Sequence, residues 1–206
     1  MPARPSPRSH LAIAQRGVSL IELLVGIAII VIAVALGAPS FTEWIYNSQI
    51  RSTAESVQNG LQSARSEAVR RNTPVRMQLT TSLDDSCAIA TAGPNWVVST
   101  ASPVSKCGSG NTDISQMGQS VSGRASATID SGHAGVFGFS GLGRMTTTTS
   151  PDTKLEDAVI NIQSSKGTCA ADGGNLRCLR ILVSAGGQIR MCDPKRGSGD
   201  PMACIP

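Results

Sequence analysis

With 206 residues, 16% charged, 3% aromatic and 21 glycines, the chain has room for one domain and a membrane segment. A composition this poor in aromatics and rich in Gly, Ser and Thr argues against a large packed α/β enzyme and for a small β-rich domain with many turns. The net charge of +4 also misleads: Arg4, Arg8 and Arg16 precede Val18 without an acid, and the remaining 15 of 18 basic residues face 14 acids, which argues against general nucleic-acid binding.

Residues 1–17 hold arginines, prolines and serines but no long apolar core. A secretory signal peptide places its apolar stretch before the cleavage site. Here the order is reversed: the one plausible processing point, Gly17, comes first, so residues 1–17 read as a leader whose removal leaves the apolar stretch on the mature chain. Val18 to Ala38 is 21 residues. As a helix it spans about 31 Å, the thickness of a bilayer core, and the basic leader predicts a cytoplasmic N-terminus with the rest sent outward. Glu22 is the only charge in this stretch. A carboxylate at the centre of a spanning helix costs about 2.5–3.5 kcal/mol, and less near an end. No Lys or Arg lies in the segment, so a compensating charge has to come from elsewhere, such as the free amine of a neighbouring chain cut after Gly17.

From 39 to 72 the pattern turns amphipathic. Phe41, Trp44, Ile45, Val57, Leu61, Ala64 and Ala68 recur at helical spacing, and Arg51, Glu55, Gln58, Gln62 and Arg65 fall on the other face. Glu67 precedes Arg71 by one helical turn, and Asn72-Thr73-Pro74 stops the helix. One helix is therefore predicted from Val18 to about Arg71, its first half in lipid and its second under a globular domain. Trp44 and Tyr46 suit either a membrane-exit anchor or packing against that domain.

Residues 73–206 read as a β-rich headpiece. Strands are predicted at 75–80, 95–100, 126–130, 135–140, 158–163, 179–184 and 188–192, with a tight hairpin at "SAGGQ" between the last two. Residues 105–123 read as a long surface loop. Six cysteines (Cys87, Cys107, Cys169, Cys178, Cys192 and Cys204) all follow the apolar segment, lack a Cys-x-x-Cys pair and have no histidine nearby. That favours disulfides made outside the cytoplasm over a metal site. Nearest-neighbour pairing gives Cys87–Cys107, Cys169–Cys178 and Cys192–Cys204, while Cys178–Cys192 across the final hairpin stays open as an alternative. Catalysis has little to stand on. His133 is the only histidine outside the leader, Leu142 takes the place of the second glycine of a nucleophile elbow in "GFSGLG", and no phosphate-binding loop is present. Neither an enzyme nor a cofactor or metal is expected.

The stretch "RGVSLIELLVGIAII" resembles the class III signal of the type IV pilin superfamily: a basic leader ending in Gly, then a helix with Glu at the fifth mature position. The family most often has Phe at the first mature position, where this chain has Val18. The resemblance implies that a prepilin peptidase cuts Gly17–Val18 and N-methylates Val18. It also implies that Glu22 pairs with an adjacent subunit's amine during assembly and that Pro39 kinks the helix. "LQSARSEAVRRNTPVRMQL", "FGFSGLGR" and "ILVSAGGQIRMCDP" resemble the GspH/FimT branch of minor pilins and pseudopilins, and the cysteine-closed tail is most similar to FimU/FimT-type minor pilins. This implies an α+β fold, a long N-terminal helix packed on a two-sheet antiparallel β headpiece. It further implies a single-pass inner-membrane protein with a periplasmic headpiece that later joins a fibre. The implied role is that of a minor pilin priming pilus assembly and supporting twitching motility and adhesion. Implied partners are other minor pilins, the major pilin, the prepilin peptidase, an inner-membrane assembly platform and membrane lipid. Two alternatives accompany this reading, a type II secretion pseudopilin and a DNA-binding minor pilin for transformation. For the latter, Lys166, Arg177, Arg180, Arg190, Lys195 and Arg196 outnumber Asp172 and Asp193 over 166–196, with Arg190, Lys195 and Arg196 as the candidate DNA contacts. The basic Gly-Arg-x-Arg turn of some family members is here Gly187-Gln188-Ile189-Arg190, which lacks its first arginine, and solvated charge is the simpler account of these residues.

Overall fold

The computed structural model describes residues 17–108, 110–119, 125–130, 133–147 and 155–204, with residues 37–39 described by backbone alone. The leader thus falls outside the described residues, apart from Gly17. Helix α1 covers Leu20–Arg71, and the chain divides into two compact units, Met1–Phe41 and Thr42–Pro206.

In the first unit, Leu20, Leu24, Ile27, Ile30, Val34 and Leu36 are all exposed. A helix apolar on every side belongs in a medium that its own chain does not supply. Among the described residues no single helix is long and apolar enough to cross a membrane, although Leu20–Leu36 and Ser40–Arg71 taken together meet that test by length and composition. The kink expected at Pro39 falls where side chains are not described.

In the second unit, Ile50, Ala54, Val57, Leu61, Ala64 and Ala68 form a fully or almost fully buried stripe. Their alternating four- and three-residue steps keep them on one face of the helix. The buried stripe thus begins at Ile50, later than the predicted start at Phe41: Trp44 is 65% exposed, and Tyr46 packs partly buried against the core. The three alanines in the stripe let the helix backbone come close to the sheets. Asn72, at φ 51°, ends the helix in the left-handed conformation, and the Thr73 N–H donates back to the Ala68 carbonyl at 3.3 Å.

Among the described residues, nine strands make two antiparallel sheets. The first, in order β4-β3-β1-β6, contains β1 (Val75–Thr80), β3 (Asn95–Ser99), β4 (Ile114–Gln119) and β6 (Val136–Phe139). The second, in order β2-β5-β7-β8-β9, contains β2 (Ala92–Gly93), β5 (Ala125–Ile129), β7 (Ala158–Ser164), β8 (Leu179–Val183) and β9 (Ile189–Cys192). The long helix on two antiparallel sheets is the α+β, pilin-like arrangement expected from the sequence. One expectation is corrected: 105–123 is not all loop, because β4 lies within it. β4 is an edge strand rich in Ser, Gln and Gly with all six of its residues half-buried or exposed, and it pairs on one side only with β3. An edge strand needs few apolar residues, so it leaves no alternating pattern to read.

One core runs between the helix stripe and both sheets, and includes Met77, Leu79, Trp96, Phe137, Phe139, Ile160, Ile162 and Ile181. Strands β5 and β7 alternate buried with half-buried residues, as a sheet with one solvated face does. By contrast β1 and β3 are buried almost throughout. Their second face is roofed by a small cluster of Cys87, Val97 and Cys107, with Leu83 and Ile114 against it. Trp96 anchors helix to sheet. Its ring lies against Gly60 of the helix and Gly118 of β4, where an added Cβ would come within 2.9 Å and 2.3 Å of ring atoms. Its Nε1–H donates to Ser56 Oγ at 3.1 Å.

Candidate functional site

Two regions hold the candidate residues, and each belongs to its own unit. At the N-terminus, Gly17 is exposed with open space around its Cα, and Val18 is 71% exposed, so a peptide bond between them is accessible. Glu22 lies in the first turn of α1. An acid there is favoured by the helix dipole, which offsets a little of its cost in an apolar medium. Among the described residues Glu22 forms no ion pair, and the apolar residues around it offer no cation.

The second region is the headpiece's C-terminal end. The structure joins Cys87 to Cys107, Cys169 to Cys178 and Cys192 to Cys204, with Cα separations of 6.0, 5.4 and 5.0 Å. Cys178 therefore does not pair with Cys192 across the β8–β9 hairpin. The Cys192–Cys204 bond closes a loop that is organised around Asp193, whose side chain is only 5% exposed. Its carboxylate accepts from the Lys195 backbone N–H at 2.9 Å and pairs with Arg177 at 3.3 Å and Arg196 at 3.6 Å. Arg196 also reaches Asp200 at 3.0 Å. Asp193 further donates its backbone N–H to the Met202 carbonyl at 2.7 Å, while the Arg177 N–H binds Asn47 Oδ1 on the helix at 2.7 Å.

These contacts bear on the proposed DNA contacts. Arg196 is engaged by two carboxylates and Arg177 by one, and Arg180 donates to Asn161 Oδ1 at 2.8 Å. Arg190 is half-buried on β9 opposite Leu182. Lys195 is exposed, as are Lys166 and Arg196. Two of these six basic residues, Arg177 and Arg196, fasten the tail through Asp193 and Asp200. His133 lies just ahead of β6 with its Nε2 3.4 Å from the Asp157 carbonyl oxygen, and no metal-ligating cluster occurs among the described residues.

Elsewhere, charge shifts report local pairing. Arg70 and Arg71 hold the Glu67 carboxyl well below its usual range, at about 2. Hydrogen bonds from Ser86 and Ser82 lower Asp84, and burial pushes the Arg76 guanidinium down. The sequence reading missed Ser56, Gly60 and Gly118 around Trp96. A glycine inside a helix costs about 1 kcal/mol relative to Ala, so Gly60 was the one visible signal that something bulky lies against that turn.

A long helix with an early carboxylate that forms no ion pair among the described residues, leading into a disulfide-stapled headpiece of two antiparallel sheets, defines a pilin-type structural subunit. Residues 53–187, well over half of the chain, match the family described as type II transport protein GspH, and residues 13–38 match the prokaryotic N-terminal methylation motif. The chain belongs to the GspH family. Its fold is similar to a crystal structure of the Pseudomonas aeruginosa PAO1 type IV minor pilin FimU, at 19% identity and TM-score 0.50, covering 77% of this chain and 96% of that one. A second crystal form of FimU aligns at 18% identity and TM-score 0.48, covering 75% and 99%. No curated protein matches the chain.

Proposed function

We propose that this chain is a minor pilin of a type IV pilus, a subunit that helps prime the fibre and support twitching motility and adhesion. Residues 1–17 are the leader, and a prepilin peptidase cuts Gly17–Val18 and N-methylates Val18. Residues 18–38 hold the protein in the inner membrane, 39–72 carry the helix into the periplasm, and 73–206 form the headpiece. Other minor pilins, the major pilin and the inner-membrane assembly platform are its partners. Glu22 carries the reading: a carboxylate in an apolar stretch that holds no Lys or Arg is stabilised when the Val18 amine of a neighbour docks against it. Leaving one partner of a buried ion pair alone costs about 3–5 kcal/mol, so the pair favours register-specific assembly over random helix association.

The family's description as a type II transport protein supports a second reading, a pseudopilin of a secretion system. The test is Glu22→Ala in the native host. We expect the leader to be removed and the protein to reach the membrane, with little of it in sheared fibres. Normal incorporation overturns the proposal. A deletion strain that keeps surface pili and twitching but loses secretion replaces it with the second reading.

A further inference from the structure

We infer that the outer face of the first sheet, beneath the Cys87–Cys107 loop, is a binding site for ordered water. On β1, Val75, Met77 and Leu79 point into the main core, so Arg76, Gln78 and Thr80 point to the opposite face. Gln78 pairs across the sheet with Val97, which belongs to the cluster roofed by Cys87 and Cys107, and Thr80 pairs with Asn95. Gln78 and Thr80 are 0% exposed and Asn95 5%. Yet Gln78 Nε2 and Oε1, Thr80 Oγ1, Asn95 Oδ1 and Arg76 Nε have no hydrogen-bond partner among the described residues. Native proteins leave few buried polar atoms unpaired, and five on adjoining positions of one face call for a shared ligand.

The atoms identify that ligand. Gln78 Nε2, Thr80 and Arg76 donate, whereas Gln78 Oε1 and Asn95 Oδ1 only accept. Two carbonyl oxygens repel an anion, and the amide N–H groups with the guanidinium repel a cation. A neutral molecule that both donates and accepts fits this set, and buried water typically makes about three such bonds. Directly opposed residues such as Thr80 and Asn95 lie about 5 Å apart at Cβ, a span one water bridges. The roof is fastened well enough to retain it: beyond the disulfide, the Ser105 N–H donates to the Cys87 carbonyl at 2.9 Å and the Gly108 N–H to Asp85 Oδ1 at 2.8 Å.

Hydration and true dissatisfaction predict opposite signs for one substitution. Gln78→Met keeps the side chain's length and removes both amide atoms. If water completes the set, the change strands Thr80, Asn95 and the water, and Tm falls by about 3–8 °C. If the amide is dry and unsatisfied, removing it stabilises the protein. The experiment uses the full chain in detergent micelles, with thermal melts of Gln78→Met and Thr80→Val beside water-selective rotating-frame NMR at the Gln78 side-chain amide protons. A long-lived water cross-peak at Gln78, with a lower Tm in both variants, is the expected result. Absence of the cross-peak, or an unchanged or higher Tm in either variant, overturns the inference; if Gln78→Met fails to fold, Thr80→Val and the cross-peak decide it.

Discussion

Gly118→Ala should cost the headpiece much of its stability through a single methyl group. The new carbon would lie 2.3 Å from Trp96 Cζ2, 2.4 Å from Cε2 and 2.9 Å from Nε1. The ring has little room to retreat, because its other edge rests on Gly60, where even a Cβ would approach Cε3 to 2.9 Å. Overpacking of this kind costs about 1–3 kcal/mol. Moving the Nε1 edge also breaks the 3.1 Å bond to Ser56, and stranding a buried donor adds about 1–3 kcal/mol. The lower chain entropy of Ala in the unfolded state returns about 0.4–1 kcal/mol. The net loss is roughly 2–4 kcal/mol, a Tm about 5–15 °C lower for a domain of this size. Thermal melts of the full chain in detergent measure it. Fluorescence in a Trp44→Phe background isolates the buried ring, since Trp44 is the exposed tryptophan, and a red-shifted emission is expected. A Tm within about 1 °C of the parent, with unshifted emission, would show that the Gly60–Gly118 slot does not constrain Trp96.

Two further outcomes follow from the pairing described above. Replacing Cys192 and Cys204 by Ser opens a bridge of sequence separation 12; loop entropy puts the loss at about 3 kcal/mol, and the tail should become the first site of limited proteolysis. A tail still protected in that variant would mean that Asp193 and its arginines hold it unaided. Because Arg70 and Arg71 depress the folded Glu67 carboxyl to about 2, its stabilising effect is full above the unfolded carboxyl's pKa of about 4.3 and fades as pH falls toward about 2. Melts of the parent and Glu67→Gln should therefore differ at neutral pH and converge in acid, with the gap smaller in high salt; a gap that widens in acid contradicts the assignment.

Much of this architecture is legible in the sequence because it rests on periodicity. Ala64 and Ala68 sit on the helical stripe, the alternation of Ala158, Ile160 and Ile162 marks β7, and "SAGGQ" turns β8 into β9. What stayed hidden depends on partners distant in sequence. β4 is silent because an edge strand of polar residues has no apolar face to show. Gly118 reads as a loop glycine until Trp96 is placed opposite it. Arg177 reads as free charge because Asp193 lies sixteen residues on, across the β8–β9 hairpin, and only the fold brings the two together. Gln78 looks like the polar position of an alternating strand, and only the Cys87–Cys107 roof converts it to a buried one.

The two carboxylates Asp193 and Glu22 show how differently the units of this chain meet the same electrostatic demand. Asp193 is nearly buried, and the headpiece answers it locally with two guanidinium groups and a backbone N–H. That arrangement needs no second molecule, so it stabilises the isolated subunit and holds the tail on the sheet. Glu22 lies in a stretch with no other charge from Val18 to Ala38, and among the described residues it forms no ion pair. A helix whose only purpose was to sit in lipid would be more stable with an apolar residue there, by a margin of up to about 2.5–3.5 kcal/mol. Under the proposed processing, the cut after Gly17 creates the missing positive charge four residues away in sequence, at the end of the same helix. An α-helix rises about 1.5 Å per residue, so a neighbour displaced along the axis by roughly one turn sets its amine level with this carboxylate. The four-residue interval between the new amine and Glu22 would thus select one axial stagger between two subunits.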